Sequence, residues 1–271
     1  MKKTISTAFL CLVLLALYLP IFVLALYSFT DSANIGAIHS FSLQNYVTLF
    51  TKPELRDMII GTLLLAIGSA VLSTVLGTLG AVGVHYAGRF GKTFIGAANQ
   101  VPVVNAEVVT AFSLCILLIE VCSVDKSSFV PLLIGHVVLQ SPFVYLSVVP
   151  KLKQMDNSLY EAALDLGASS QTAIRCVVIP QIFPGIVSGF ALAVTLSLDD
   201  YFITSYTKPA TFDTISTYVV NATKGSQTEI KTALWALSTI IFLAVILLVL
   251  VMNLTGSRNA RRTNEIEKKN A

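Results

Sequence analysis

The chain has 271 residues, 55% of them hydrophobic and 12% charged, with a formal net charge of +3 and a mean hydropathy of +0.77. Soluble domains carry about 25% charged residues, so this balance excludes an ordinary water-soluble enzyme and points to an integral membrane protein. The net charge is too small to argue for a nucleic-acid partner.

A bilayer core about 30 Å thick needs about 20 apolar helical residues. Six stretches meet that length: 8–29, 58–86, 95–120, 130–150, 181–203 and 232–254. The first follows Lys2 and Lys3 and runs from Ala8 to about Phe29. Signal peptides have shorter apolar regions of about 7–15 residues, so it reads as an uncleaved first span, with cleavage after Ala25 as the alternative. A loop over 30–57 leads to the second span, where Gly77, Gly80 and Gly83 recur every third residue. Such a smooth face suits close helix packing. A turn at 87–94 precedes the third span, which carries Glu107 and, at its outer end, Glu120. A short loop at 121–129 opens the fourth span. A polar segment within 151–180 separates it from the fifth, which ends in "TLSLDDYF" with Asp199 and Asp200. A loop at 204–231, the sixth span and a tail from 255 complete the chain. Pro20, Pro102, Pro131, Pro142, Pro180 and Pro184 enter or flank the spans, where neighbouring protein can re-satisfy a broken backbone.

With the N-terminus inside, 12 of the 18 Lys and Arg residues fall on the cytoplasmic side. The positive-inside rule therefore puts both termini in the cytoplasm of a multi-pass cell-membrane protein. The longest stretches outside the membrane are about 30 residues, and no GxxxxGK[ST] phosphate loop is present. The chain is not expected to hydrolyse nucleotide, nor to be an enzyme of another kind. Cys11, Cys115, Cys122 and Cys176 form no CxxC pair, and His39, His85 and His136 are scattered singly. No metal site is expected, and thiols in apolar runs behave as small hydrophobes.

The polar segment "EAALDLGASSQTAIRCVVIP" has its own local logic. Ser158 is placed to cap a short helix, with Glu161 three residues later in capping-box position. Gly167 is placed to end that helix as a left-handed cap. Ser169 or Ser170 can start a second helix running to Pro180 at the membrane edge. The result is a hook over 158–180 on the cytoplasmic side. By spacing alone, a hook that simply lies on the lipid surface is the alternative.

Carboxylates at membrane depth are costly and mark function by default. At 1.5 Å per residue along straight helices, Glu107 counted from Phe94 and Asp199 counted from Pro184 stand at similar depths, ~20 Å from the inner edge. With no Lys or Arg inside the spans, a transported cation could balance them. A polyamine suits separated carboxylates because its ammonium groups are spaced. The alternative is that the acids satisfy helix ends or bind partner side chains at a subunit interface.

The sequence of Glu161-Ala162-Ala163, Gly167 and Val177-x-Ile179-Pro180 resembles the EAA loop of ABC importer permeases, in its position before the penultimate span. That resemblance implies an all-α membrane protein of six transmembrane helices with the MetI-like permease fold, a single domain over 1–271. It also implies that Glu161, Ala162, Ala163, Gly167 and Pro180 dock on a cytoplasmic ATPase dimer. "LSLDDYFITSYT" and "NAEVVTAFSL" are similar to stretches in the permeases of spermidine/putrescine importers, and the likeness covers essentially the whole chain. It implies a substrate pathway using Glu107, Ser197, Asp199, Asp200 and Tyr46. It implies a second homologous permease subunit and an extracytoplasmic polyamine-binding protein as partners. No cofactor is expected on this chain, ATP and magnesium belonging to the ATPase. Departures are Asn45-Tyr46 where the family often has Trp-Tyr, and Glu107 where it has Asp. Permeases for iron, sulfate or phosphonate are the alternatives within the family, and a secondary cation transporter or channel the alternative outside it. Anion carriers would favour basic groups or helix N-termini at the site.

Overall fold

The computed structural model describes residues 2–30, 40–224, 232–243 and 246. In chain order the helices are α1 (Lys2–Ser28), α2 (Gln44–Thr51), α3 (Pro53–Tyr86), α4 (Arg89–Val104), α5 (Glu107–Cys115, prolonged by a π-helical turn over Ile116–Val121), α6 (Val130–Gln154) and α7 (Asn157–Asp165). Then come α8 (Ser170–Asp199), α9 (Phe202–Thr207), α10 (Ile215–Lys224) and α11 (Thr232–Leu243). Among the described residues the sole strand-like feature is one antiparallel bridge between Thr30 and Phe41.

Four helices are long and apolar enough to cross a bilayer: α1 from Phe9, α3, α6 and α8. Helices α4 and α5 pass the same test together as a fifth, broken span bent by 104°. The expected sixth span is described as a helix as far as Leu243; of residues 244–271 only Ile246 lies among the described ones.

The chain forms two compact units, one of residues 1–56 with 221–271 and one of residues 57–220. In the first, aromatic rings hold α1 to α11: Tyr27 meets Trp235 edge-on at 5.9 Å, and Tyr18 and Phe22 both approach Phe242. Buried Asn45 donates from Nδ2 to the carbonyls of Ser28 and Thr30, which ties α2 to the end of α1. In the second unit, α3, α6 and α8 share the core. Val144 of α6 is fully buried between Gly77 of α3 and Gly189 of α8. A Cβ at Gly77 would stand 2.7 Å from the Val144 Cβ, so this glycine sets the α3–α6 approach. Gly80 and Gly83 do not share that role: the first has Tyr145 no nearer than 3.9 Å and the second nothing within 4 Å.

Several expectations need correction. The third span is not one straight helix over 95–120. It starts at Arg89, stops at Val104, and restarts at Glu107 after Asn105 and Ala106 take extended backbone angles. Equal depth counted along straight helices is therefore not a valid argument for Glu107. The loop at 204–231 contains α9 and α10. Its Lys208 is pinned within the second unit, to the Asp213 carboxylate at 2.8 Å and the Phe212 carbonyl at 2.8 Å.

The cap of α7 is Asp156 and not Ser158: its carboxylate accepts the Ser158 amide at 3.0 Å. Gly167 does end the helix, with φ +88°. The bonds Gly167 N–H to Leu164 and Ala168 N–H to Ala163 are the paired closure of a Schellman motif. The next helix does not end near Pro180. It runs unbroken as α8 from the Ser169 cap, through a π-helical turn at Ile174–Val178, to Asp199. The hook and the fifth span thus share one helical rod.

Candidate functional site

Two helix interruptions make the site. One is the α4–α5 break, which leaves Glu107 in the first turn of α5, where an acid is favoured by the unpaired N–H groups. The other is the α8–α9 junction, where Asp200 is extended and Tyr201 turns the chain. They face each other across a cavity of about 240 Å³ lined by Glu107, Asp199 and Asp200, with Asn105 and the apolar Leu139, Phe143 and Leu196. No Lys or Arg is among its described lining residues. Glu107 and Asp200 thus line the same cavity from opposite helix breaks.

The two adjacent aspartates differ. Asp199 is exposed to the cavity, whereas Asp200 is 2% exposed. The Asp200 carboxylate accepts the Ile203 amide at 3.2 Å, the Thr204 amide at 2.8 Å and the Thr204 hydroxyl at 2.7 Å. It thereby satisfies the first turn of α9, which is the helix-end role weighed above for these acids. Ser216 donates to its backbone carbonyl.

Ser197 does not line the cavity; it is fully buried and bonded to His136 Nδ1 at 2.9 Å. The other ring nitrogen meets Thr204 Oγ1 at 3.0 Å and Asp200 Oδ2 at 3.5 Å. Ser69 reaches Ser197 at 3.4 Å, Gln140 Nε2 reaches Ser69 at 3.0 Å, and Ser73 reaches Gln140 Oε1 at 3.0 Å. This buried polar row crosses α3, α6, α8 and α9, and sequence reading missed it. A signal was present: Ser69 and Ser73, like His136 and Gln140, are polar pairs four apart on apolar helices, and so share a face. Tyr46 lies in the first unit, bonded to Ser28 Oγ at 2.9 Å with its ring 5.1 Å from that of Phe29. Glu120 is exposed in the π-helical turn and lines no part of this cavity.

The residues expected to dock on an ATPase stand apart. Glu161 and Ala162 on α7 are exposed, with Leu166 at 90%, while Tyr160 turns inward against Tyr86 with ring centres 4.8 Å apart. Ala163 is half-buried, and Gly167 and Pro180 are exposed. No group of three or more His, Cys, Asp or Glu able to hold a metal occurs among the described residues.

The family described as "Binding-protein-dependent transport system inner membrane component" matches residues 101–264. The spermidine/putrescine transport system permease protein PotC of Haemophilus influenzae is 30% identical over 244 residues, covering 90% of this chain and 94% of that protein. The putrescine transport system permease protein PotI of Escherichia coli K12 is 30% identical over 235 residues, covering 84% and 82%. Among solved structures, a bacterial ABC transporter involved in the import of the acidic polysaccharide alginate aligns with a TM-score of 0.72 at 18% identity, over 93% of this chain and 94% of that one. The alginate transporter in complex with its oligosaccharide-bound periplasmic protein gives 0.69, over 91% of each chain. At that identity the likeness establishes the fold. With more than half of its length matched, and with relatives that it covers almost entirely, the chain belongs to the binding-protein-dependent transport system inner membrane components, the permease family of ABC importers.

Proposed function

We propose that this chain is one permease subunit of an ATP-driven importer of polyamines, of the spermidine and putrescine class. The observation that carries the reading is the cavity at the two helix breaks, where Glu107, Asp199 and Asp200 converge with no Lys or Arg among the described lining residues. Carboxylates withdrawn from water need a counter-charge, and a transported cation supplies one. The flanking apolar side chains Leu139, Phe143 and Leu196 suit the methylene segments between ammonium groups. The 30% identity to polyamine permeases supports the same reading. The acids also argue against sulfate or phosphonate as cargo.

In this reading the chain is a single permease domain that supplies half of the pathway, and a second homologous subunit supplies the rest. An extracytoplasmic binding protein delivers the polyamine. Two copies of a cytoplasmic ATPase, holding ATP and magnesium, engage the exposed surface of α7 around Glu161 and Ala162. Because the second helix of the hook is the start of α8, a displacement of α7 passed across the Gly167 turn is carried along one rod from Ser170 to Asp199. Both termini face the cytoplasm. The chain itself makes and breaks no covalent bond.

The test is ATP-dependent uptake of spermidine and putrescine by the complete importer in vesicles, comparing wild type with Glu107→Gln and Asp199→Asn. The expected outcome is a loss of at least tenfold in kcat/KM for each variant, equivalent to about 1.4 kcal/mol. Undiminished polyamine uptake in the double variant would remove the cation-path assignment.

A further inference from the structure

The buried row ends at Asp200 with a fixed direction from His136, and this end separates the roles of the three acids. Thr204 Oγ1 donates its single proton to Asp200 Oδ2 at 2.7 Å. Toward His136 Nε2, at 3.0 Å, that oxygen therefore accepts, so Nε2 carries a proton. With Nε2 protonated on a neutral ring, the Nδ1 lone pair is the acceptor for the Ser197 hydroxyl at 2.9 Å, while the single proton of Ser69 has the Ala66 carbonyl at 3.3 Å and Ser197 Oγ at 3.4 Å as acceptors. These contacts fit one ring state, the neutral Nε2–H tautomer, which the Thr204 end fixes. Gln140 donates to Ser69, and Ser73 has the Gln140 carbonyl at 3.0 Å and the Ala70 carbonyl at 3.1 Å as acceptors, which ties α3 to α6. His136, Gln140, Ser69, Ser73 and Thr204 are each under 2% exposed.

We infer that His136 is a positioning residue, held as the Nε2–H tautomer, which fixes Thr204 and Asp200 as a rigid closure of the α8–α9 junction and leaves Glu107 and Asp199 as the carboxylates that meet the transported cation. This rests on the polyamine reading for the identity of the cation, though not for the hydrogen-bond geometry. A carboxylate has about four acceptor positions, and α9 donors occupy three of those on Asp200. Its side chain is wholly buried. Asp199, one residue earlier, opens on the cavity. Asp200 is thus held in place by donors that must be satisfied whether or not cargo is present, while Asp199 and Glu107 keep acceptor capacity for an ammonium group. Gln140, Ser69 and Ser73 extend the fixation to α3 and α6, so the junction is referenced to three spans at once.

The test uses the complete importer in lipid vesicles. Solid-state 15N spectra of the histidine-labelled complex, with the His136 signals identified by their loss in His136→Gln, should show a bare Nδ1 and a protonated Nε2 at mildly alkaline pH without cargo. An Nδ1–H ring or a doubly protonated ring overturns the assignment. In uptake, His136→Leu should lower kcat/KM at least tenfold at unchanged yield of assembled complex. His136→Gln, which keeps a donor near the Nε2 position, should stay within about threefold of wild type. Combined with Asp200→Asn, His136→Leu should do no more damage than the worse single change, whereas with Asp199→Asn the losses should multiply. Multiplying losses for His136 with Asp200, or a Gln variant as impaired as the Leu variant, refute the positioning role. If wild type carries no polyamine, the functional proposal fails, while the tautomer is still decided by the spectra.

Discussion

Val144 shows how much one side chain and the glycines facing it decide. It is fully buried, with Gly77 on one side and Gly189 on the other. A methyl at position 77 would fall 2.8 Å from the Ser141 carbonyl oxygen as well as 2.7 Å from the Val144 Cβ, and backbone cannot swing aside. Overpacking of this kind costs about 1–3 kcal/mol. Gly77→Ala is therefore expected to lower the thermal unfolding midpoint of the purified complex. Gly83→Ala, where nothing lies within 4 Å, should hold or raise it, since alanine is favoured over glycine in helices by about 1 kcal/mol. Equal effects would refute the account. The same residue-level discrimination separates Asp199 from Asp200: neighbours in sequence, one opens on a cavity and the other is consumed by α9.

The hook is the element whose local design is most complete. Asp156 caps its start, Gly167 closes its end, and Ser169 starts the next helix by accepting the Thr172 amide. The backbone amide of Ser158 holds the Asp156 carboxyl below its ordinary value. A depressed folded-state value means that the cap's contribution is present above the unfolded value of about 3.9 and is lost as pH falls through the folded value. Amide-exchange protection at Ser158 and Leu159 should accordingly fall on acidification in wild type. Asp156→Asn, which keeps a neutral acceptor, should flatten that dependence, and Asp156→Ala should weaken protection at every pH. Protection in the alanine variant equal to wild type at neutral pH would show that the cap does not hold α7. The hook was largely legible because capping is read within a few residues. Its continuity with α8 was not, because Pro180 looks like a terminator until a π-helical turn absorbs it.

At the scale of the whole chain, the arrangement of Lys and Arg predicts that both termini and the hook face the cytoplasm. Two cysteines report on this. Cys176, in the π-helical turn of α8, and Cys122, at the end of the broken span, are both exposed. In single-cysteine variants, a membrane-impermeant maleimide should label Cys122 from the outer face of intact cells or spheroplasts. Cys176 should be labelled from the opposite face, in inverted vesicles lacking the ATPase. The reverse pattern would invert the topology and with it the direction of coupling. The four straight spans were accessible because twenty apolar residues suffice to name a span. The break in the third was hidden, because Asn105 and Ala106 carry no strong interrupting signal of their own.

The sequence by itself determined the membrane class, the apolar stretches from which the spans are built, the hook with its glycine closure, and the resemblance to importer permeases. Each depends on composition or on residues within a few turns of one another. Tertiary structure decided which polar residues act together. Glu107 meets the aspartates because a 104° bend brings it there, and His136 meets Ser197, Thr204 and Asp200 across more than sixty residues of chain. Such pairing is set by how apolar helices pack. Buried donors and acceptors in that packed interior must find one another, and linear spacing does not record which partners they reach.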